Sequence, residues 1–407
     1  MKDKEKKMIF GIGIVFLFLA TVGFSYAYFS ANITNKDVKD QVVTTGTLRL
    51  TYTDGPEIKM LNIKPGSTFT KEVSVKNTGT LDTAYNLVWQ ELSNEITNDE
   101  MVISATCERR NADGEIEETC EGLSETAIGA NIIKKNIAIE SGVTHKYVIT
   151  ITFKEISVDQ NYNQGKKFSG VLGVEEYKPT QFEKDSWTTI VTNVRNGNIS
   201  NYNLGDTKEV DLGDLGKHNV RIANTTTPDE CSTEGFSQTA CGFVLEFEDA
   251  ITTHEMNSTA TNVGGWPASA MYTYLNADLY NMLPTDLKSA IIDTTAVSGH
   301  GYGETDSFTS TDKLYLLAPK EIYSNFSNTS DTSKDLTRQL DYYNSIGVTT
   351  SRYSDAIKKH GTASSTWWLR SADSITINYF YIVNISGLWN YNYANNTYGV
   401  SPAFRIG

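Results

Sequence analysis

"LNIKPGSTFTKEVSVKNTGTLDTAYNLVW" spans residues 61–89. Its "FTKEVSVKNTG" (69–79) alternates apolar and polar side chains, and "YNLVWQEL" (85–92) resumes the alternation after a turn-like break. Alternation of period two puts every second side chain on one face, which is the pattern of a half-buried strand. "GTLRLTYT" (46–53), "HKYVITITF" (145–153) and "SGVLGVEEY" (169–177) repeat it, punctuated by Gly, Asn and Pro. Five such segments without a convincing long helix predict an all-β sandwich over residues 28–177. "LSETAIGANIIKKN" (123–136) admits a short helix.

Upstream, Lys2, Lys4, Lys6 and Lys7 precede an uncharged apolar run from Met8 to about Phe24, followed by Ser25-Tyr26-Ala27. That order describes an export signal over residues 1–27, cleaved or kept as a membrane anchor through residues 8–28. Either outcome predicts a secreted or cell-surface chain that touches a membrane only through this segment. The net charge of −14 over 407 residues argues against a nucleic-acid partner. Four cysteines suit an oxidising compartment. Cys107 with Cys120, and Cys231 with Cys241, each flank a short loop, and local pairing is expected among the three connectivities available.

Downstream, "EYKPTQFEKDS" (176–186) loses the alternation and places a linker at 178–186. Residues 187–407 mix elements. Helices are expected within 265–292, entered at Ser269 and restarted at Pro284, and at 337–347. Strands are expected at 218–224, 241–249 and 312–323, with a last strand packing Val400, Phe404 and Ile406. "TWWLRSADS" (366–374) reads as a strand with one of Trp367 and Trp368 in the core and the other on the far face. Arg370 is expected to meet a buried carboxylate or carbonyl, and the three residues are read as structural. The histidines 145, 218, 254, 300 and 360 lack metal-site spacing, so a metal centre would need assembly by folding. Neither HExxH nor a nucleophile or phosphate motif occurs. The expectation is a non-enzyme without cofactor or metal.

Two resemblances join these readings. Tyr28-Phe29, Gly46-Thr47-Leu48, Lys64-Pro65-Gly66 and Asn77-Thr78-Gly79 resemble the TasA/camelysin family of secreted proteins. That resemblance implies a jelly-roll-like sandwich, and in some relatives fibre assembly by a lent N-terminal strand, here residues 28–43. Gly205-Asp206 through Val210, "NVGGWPAS" (262–269), "WWLRS" and "GVSPAF" (399–404) resemble an uncharacterised bacterial surface-domain family. It implies a C-type-lectin-like α+β fold, shared with variable domains of diversity-generating retroelements. Related members often carry Arg where this chain has Ser401.

Residues 373–398 hold six Asn and five Tyr. Tyr offers large amphipathic contact at low entropy cost, and Asn adaptable hydrogen bonds. A ligand-binding face is therefore expected from Tyr379, Tyr381, Asn384, Trp389, Tyr391, Tyr393, Asn395 and Tyr398, with Gly387 at the turn. The expected ligand is an extracellular protein or glycan.

Overall fold

The computed structural model describes residues 30–33, 40–45, 48–55, 58–61, 63–129, 131–299, 301–303, 307–327, 335–361 and 363–407. The expected export signal lies outside them. No helix among the described residues is long and apolar enough to cross a membrane. The chain divides into two compact units, Met1–Lys178 and Pro179–Gly407.

The first unit contains β1 (Ser30–Ile33), β2 (Asp40–Thr45), β3 (Leu48–Asp54), β4 (Ile58–Leu61), β5 (Thr68–Asn77) and β6 (Thr83–Asn94). It continues with β7 (Met101–Arg110), β8 (Ile116–Ala127), β9 (Ile132–Ile139), β10 (Thr144–Phe153) and β11 (Lys167–Glu176). Two sheets form, in the orders β4-β1-β11-β6-β9 and β2-β3-β5-β10-β7-β8. The alternation sets their packing. Phe69, Val73 and Val75 of β5 and Tyr147, Ile149, Ile151 and Phe153 of β10 are buried on one side of the core. Tyr85, Leu87 and Trp89 of β6 and Phe168, Leu172 and Val174 of β11 join the same cluster from the other sheet. This is the sandwich the sequence predicts. The short helix admitted at 123–136 is absent; the stretch is shared between β8 and β9. Ile128 turns into the core between the two strands.

The candidate donor segment, residues 28–43, is paired within its own chain where it is described, as an ordinary first strand would be. β1 runs parallel to β11 and antiparallel to β4, and β2 pairs with β3.

In the second unit the strands are β12 (Thr207–Asp211), β13 (Lys217–Asn224), β14 (Val244–Phe247), β15 (Thr252–Glu255), β16 (Thr294–Ser298), β17 (Phe308–Asp312) and β18 (Lys358–His360). Then come β19 (Ala363–Ser365), β20 (Trp367–Ala372), β21 (Tyr379–Val383), β22 (Trp389–Tyr393), β23 (Thr397–Val400) and β24 (Ala403–Arg405). The sheets of interest are β12-β13-β14-β24 and β15-β23-β20-β21-β22. Ser269 caps the helix at Ala270–Tyr274, its hydroxyl accepting the Tyr272 N–H at 3.1 Å. Helices also occur at Thr285–Ala290 and Asp341–Ser345, where the sequence expects them.

Two expectations need correction. The predicted linker carries the helix Gln181–Lys184, whose Phe182 is fully buried in the second unit's core beside Trp187. The polar residues around Phe182 conceal one aromatic anchor. The strand predicted at 312–323 ends at Asp312; Pro319 opens a helix to Ile322, as a ring with fixed φ favours at a first helical turn.

The motif strand β20 is buried along its whole length. Both tryptophans are fully buried, against the expectation of one on a far face. Trp367 lies under the Lys358 ammonium and donates its indole N–H to Ala356 O at 3.2 Å. Trp368 packs against the Tyr398 ring and donates to His254 O at 2.8 Å. Each face of the strand has its own cover, so neither alternating set meets solvent. Arg370 behaves as expected. Its guanidinium grips the Glu321 carboxylate through two bonds of 2.6 and 2.7 Å, with both groups sealed from solvent.

Candidate functional site

The hairpin β21–β22 carries most of the Tyr and Asn. Its turn is built by Asn384, whose side-chain oxygen accepts the N–H groups of Ser386 and Leu388 at 3.0 and 3.1 Å. Gly387 follows with φ of 87°, a left-handed conformation that glycine adopts without penalty. Register then decides which side chains share a face. Tyr379 pairs with Tyr393, Tyr381 with Tyr391 and Val383 with Trp389. These lie on one side; Phe380 and Ile382 point to the other and are buried.

On the first side the aromatic rings form a shelf. Tyr379 stacks on Tyr391 at 5.3 Å between centroids and meets Tyr393 edge-on at 4.8 Å. Tyr391 and Tyr393 are 44% and 45% exposed, so both rings offer a large apolar area to solvent. Below them Tyr381, Trp389 and Phe326 make the base, with Phe326 to Trp389 at 5.0 Å and Tyr381 to Trp389 at 6.0 Å. Tyr381 is fully buried, contrary to the expectation that it faces a ligand. Phe326 covers it, and no residue of the hairpin signals that cover.

The remaining candidates serve elsewhere. Tyr398 packs on Trp368, and its hydroxyl accepts the Asn392 amide at 2.7 Å, away from the shelf. Asn384 is spent on the turn. Asn395 is exposed in the turn before β23. Of the eight expected residues, Tyr379, Tyr391 and Tyr393 form the shelf, Trp389 and Tyr381 support it, and the other three lie outside it.

The structure adds residues the composition argument missed. Asn262, fully buried, binds the loop before β21: its amide reaches the carbonyls of Asp373, Thr376 and Tyr379 at 2.6, 2.8 and 2.9 Å. Its oxygen accepts the Tyr302 N–H at 3.1 Å. This hub gathers Val263, Tyr302, Ile375 and Ile377 at the end of the shelf, exposed by 42–69%. The "NVGGWPAS" motif that carries Asn262 was the available signal.

The asparagines of "WNYNY" have a separate task. β22 is an edge strand. Ala394 N–H bonds to Asn378 O and Asn384 N–H to Leu388 O, so even-numbered residues pair across the hairpin. The N–H groups of Tyr391 and Tyr393 therefore point to the free edge. Asn390 and Asn392 each turn a side-chain oxygen onto the following one, at 2.8 and 2.9 Å. Occupied donors make a poor template for strand addition. Replacing both, Asn390→Val with Asn392→Val, frees two donors and raises β-propensity. Sedimentation velocity is expected to show larger species than the parent chain forms; superimposable profiles would refute this role.

In the first unit, Cys107–Cys120 and Cys231–Cys241 of the second are both disulfides, as local pairing predicts. Cys107 and Cys120 sit directly opposite on β7 and β8. Folding also brings His145 of β10 beside them, which spacing did not reveal: a ring nitrogen and both sulfurs lie within 4.8 Å of one another. Burial, together with nearby Arg109 and Lys134, pushes the His145 imidazole down to about 4, so it is neutral at physiological pH.

Comparison with known proteins gives a two-part result that matches both resemblances. Residues 4–172 match the family model described as camelysin metallo-endopeptidase, and residues 243–407 match a domain of unknown function (DUF6273). No curated protein matches. One similar solved structure is a family 123 glycoside hydrolase from Clostridium perfringens that hydrolyses glycolipid glycans. It is 13% identical with a TM-score of 0.13, over 32% of this chain and 26% of that enzyme. The first description runs against the expectation of a non-enzyme, because it names a metal-dependent peptidase. A catalytic zinc takes three protein ligands and keeps a fourth position open. Residues 4–172 contain a single histidine, His145, and the two cysteines beside it are joined to each other. Among the described residues the one close group of three histidine, cysteine or carboxylate side chains is His145 with these two cysteines, and the disulfide leaves it a single ligand, which does not fit a peptidase zinc site in this form.

Proposed function

We propose that this chain is an exported surface protein whose second unit binds another protein through the shelf of Tyr379, Tyr391 and Tyr393. The observation that carries the reading is the pair of half-exposed rings at Tyr391 and Tyr393, held on a buried aromatic base. Rigid tyrosines on a packed support lose little entropy when a partner covers them. A protein is favoured over a glycan by what surrounds the rings. Ile375, Ile377 and Val263, in segments that Asn262 ties to the Tyr379 backbone, add exposed aliphatic surface in the same region. Asn384, Asn390 and Asn392, which could serve sugar hydroxyls, already bond to backbone or to one another's neighbours. The resemblance of residues 4–172 to the camelysin family supports export. The rival reading, a matrix fibre assembled by lending residues 28–43, has less support, since β1 already pairs on both sides within its chain.

The test is an array of purified exported proteins, beside a glycan array, probed with the full chain and with the Tyr391→Ala/Tyr393→Ala variant. The expected result is a protein ligand whose affinity falls about 100-fold or more in the variant, as two central aromatic anchors imply. Unchanged melting of the variant shows that the loss is not unfolding. Binding confined to glycans, or retained in full by the variant, overturns the reading.

A further inference from the structure

We propose that reducing the Cys107–Cys120 disulfide turns Cys107, Cys120 and His145 into a binding site for a thiophilic divalent cation of the zinc class. This concerns the first unit and does not rest on the shelf.

The geometry carries the argument. The three ligand atoms already lie within 4.8 Å of one another, on three neighbouring strands in the order β10-β7-β8. A cation with bonds of about 2.0–2.3 Å to nitrogen and sulfur spans such a triangle once the sulfurs separate. The strands limit how far they can move: Cys107 and Cys120 have Cα atoms 5.0 Å apart, in a ladder that runs regularly from Cys107 to Arg109 between bulges on either side. His145 is held in the way a metal-bound imidazole usually is. Its Nδ1 bonds to Tyr85 Oη at 2.9 Å, and Tyr85 Oη bonds to Tyr147 Oη at 2.7 Å. A fixed partner on one ring nitrogen orients the other, Nε2, for a cation. Arg109 stands across the ladder from His145, anchored by Glu117 and Glu140. Cys107 is buried and Cys120 partly exposed, so a reductant and a cation both have an approach from one side. Two sulfurs and one imidazole leave a fourth position for water.

The chemistry balances. A phosphine attacks the disulfide, and with one water gives phosphine oxide and two thiols. Binding the divalent cation then releases the two thiol protons. The site is therefore exclusive with the disulfide: the hairpin β7–β8 is clasped covalently when oxidised and by metal when reduced.

Cobalt(II) is the probe, because tetrahedral thiolate coordination gives it intense charge-transfer and d–d absorption. The full chain is used with Cys231→Ser and Cys241→Ser, so that only one cysteine pair remains. After phosphine reduction without oxygen, one equivalent of cobalt is expected to produce the thiolate bands, and zinc to bleach them. The oxidised chain should show none. His145→Asn should weaken zinc binding at least tenfold, as loss of a ligand is no milder than loss of its orienting partner. Zinc should also raise the melting temperature of the reduced chain and leave the oxidised chain unchanged. The proposal is overturned if the reduced chain shows no thiolate bands, whether it stays folded or unfolds. It is equally overturned if His145→Asn binds zinc as tightly as the parent.

Discussion

Replacing Glu321 with alanine will destabilise the second unit by about 3–5 kcal/mol, the cost of stranding a buried charge. Glu321 and Arg370 are both fully buried and joined by a two-bonded ion pair. The Glu321 carboxylate also accepts the Ala318 N–H at 2.8 Å and the Thr337 hydroxyl at 2.8 Å. Arg370 donates besides to Leu316 O at 2.9 Å. Removing the acid takes away the guanidinium's bonded counter-charge and leaves it only the Coulombic field of the buried Asp335 and Asp312. Removing both charges is a different matter. The double variant Glu321→Leu/Arg370→Met should lie far closer to the parent, since the desolvation of both ions disappears together. Urea unfolding followed by tryptophan fluorescence measures both, with Trp266, Trp367 and Trp368 as buried reporters. A single variant that loses less than about 1 kcal/mol would show that the pair does not organise this core.

Gly387→Ala should cost about 3 kcal/mol and abolish shelf binding as well, by adding left-handed strain to overpacking. The backbone at Gly387 has φ of 87°. A Cβ there would stand 2.1 Å from the Tyr353 carbonyl oxygen, which belongs to backbone and cannot swing aside. The Gly387 carbonyl accepts the buried Tyr323 hydroxyl at 2.6 Å, so the turn cannot shift without breaking that bond. The turn sets the register of Tyr379 against Tyr393, hence the shelf. Comparing this variant with Tyr391→Ala/Tyr393→Ala separates two effects. The glycine variant should lower both the melting temperature and ligand affinity, and the tyrosine variant affinity alone. A glycine variant that melts with the parent would mean that the hairpin tolerates a different turn.

Part of the site was legible in "YFYIVNISGLWNYNY" and part was not. The turn at Gly387, the exposure of Tyr391 and Tyr393, and the buried partner of Arg370 followed from local rules. Tyr381 did not, because its cover is Phe326, more than fifty residues earlier. Asn390 and Asn392 stand among the expected ligand contacts without having been assigned a role of their own. Their bonds to the next N–H are visible only once the pairing phase is known, since that phase decides which donors face the open edge. The same holds for His145, an isolated histidine in the sequence that β10 sets beside Cys107.

The sequence by itself determined the elements: strands where apolar residues alternate, local disulfides across short loops, a capped helix at Ser269 and a turn at Gly387. These depend on neighbours a few residues away, whose chemistry a short stretch states in full. Tertiary structure alone decided which faces are covered. Burial of Trp367, Trp368, Tyr381 and Phe182 depends on segments distant along the chain, and a side chain meets solvent or protein according to what packs over it, which its own stretch does not encode.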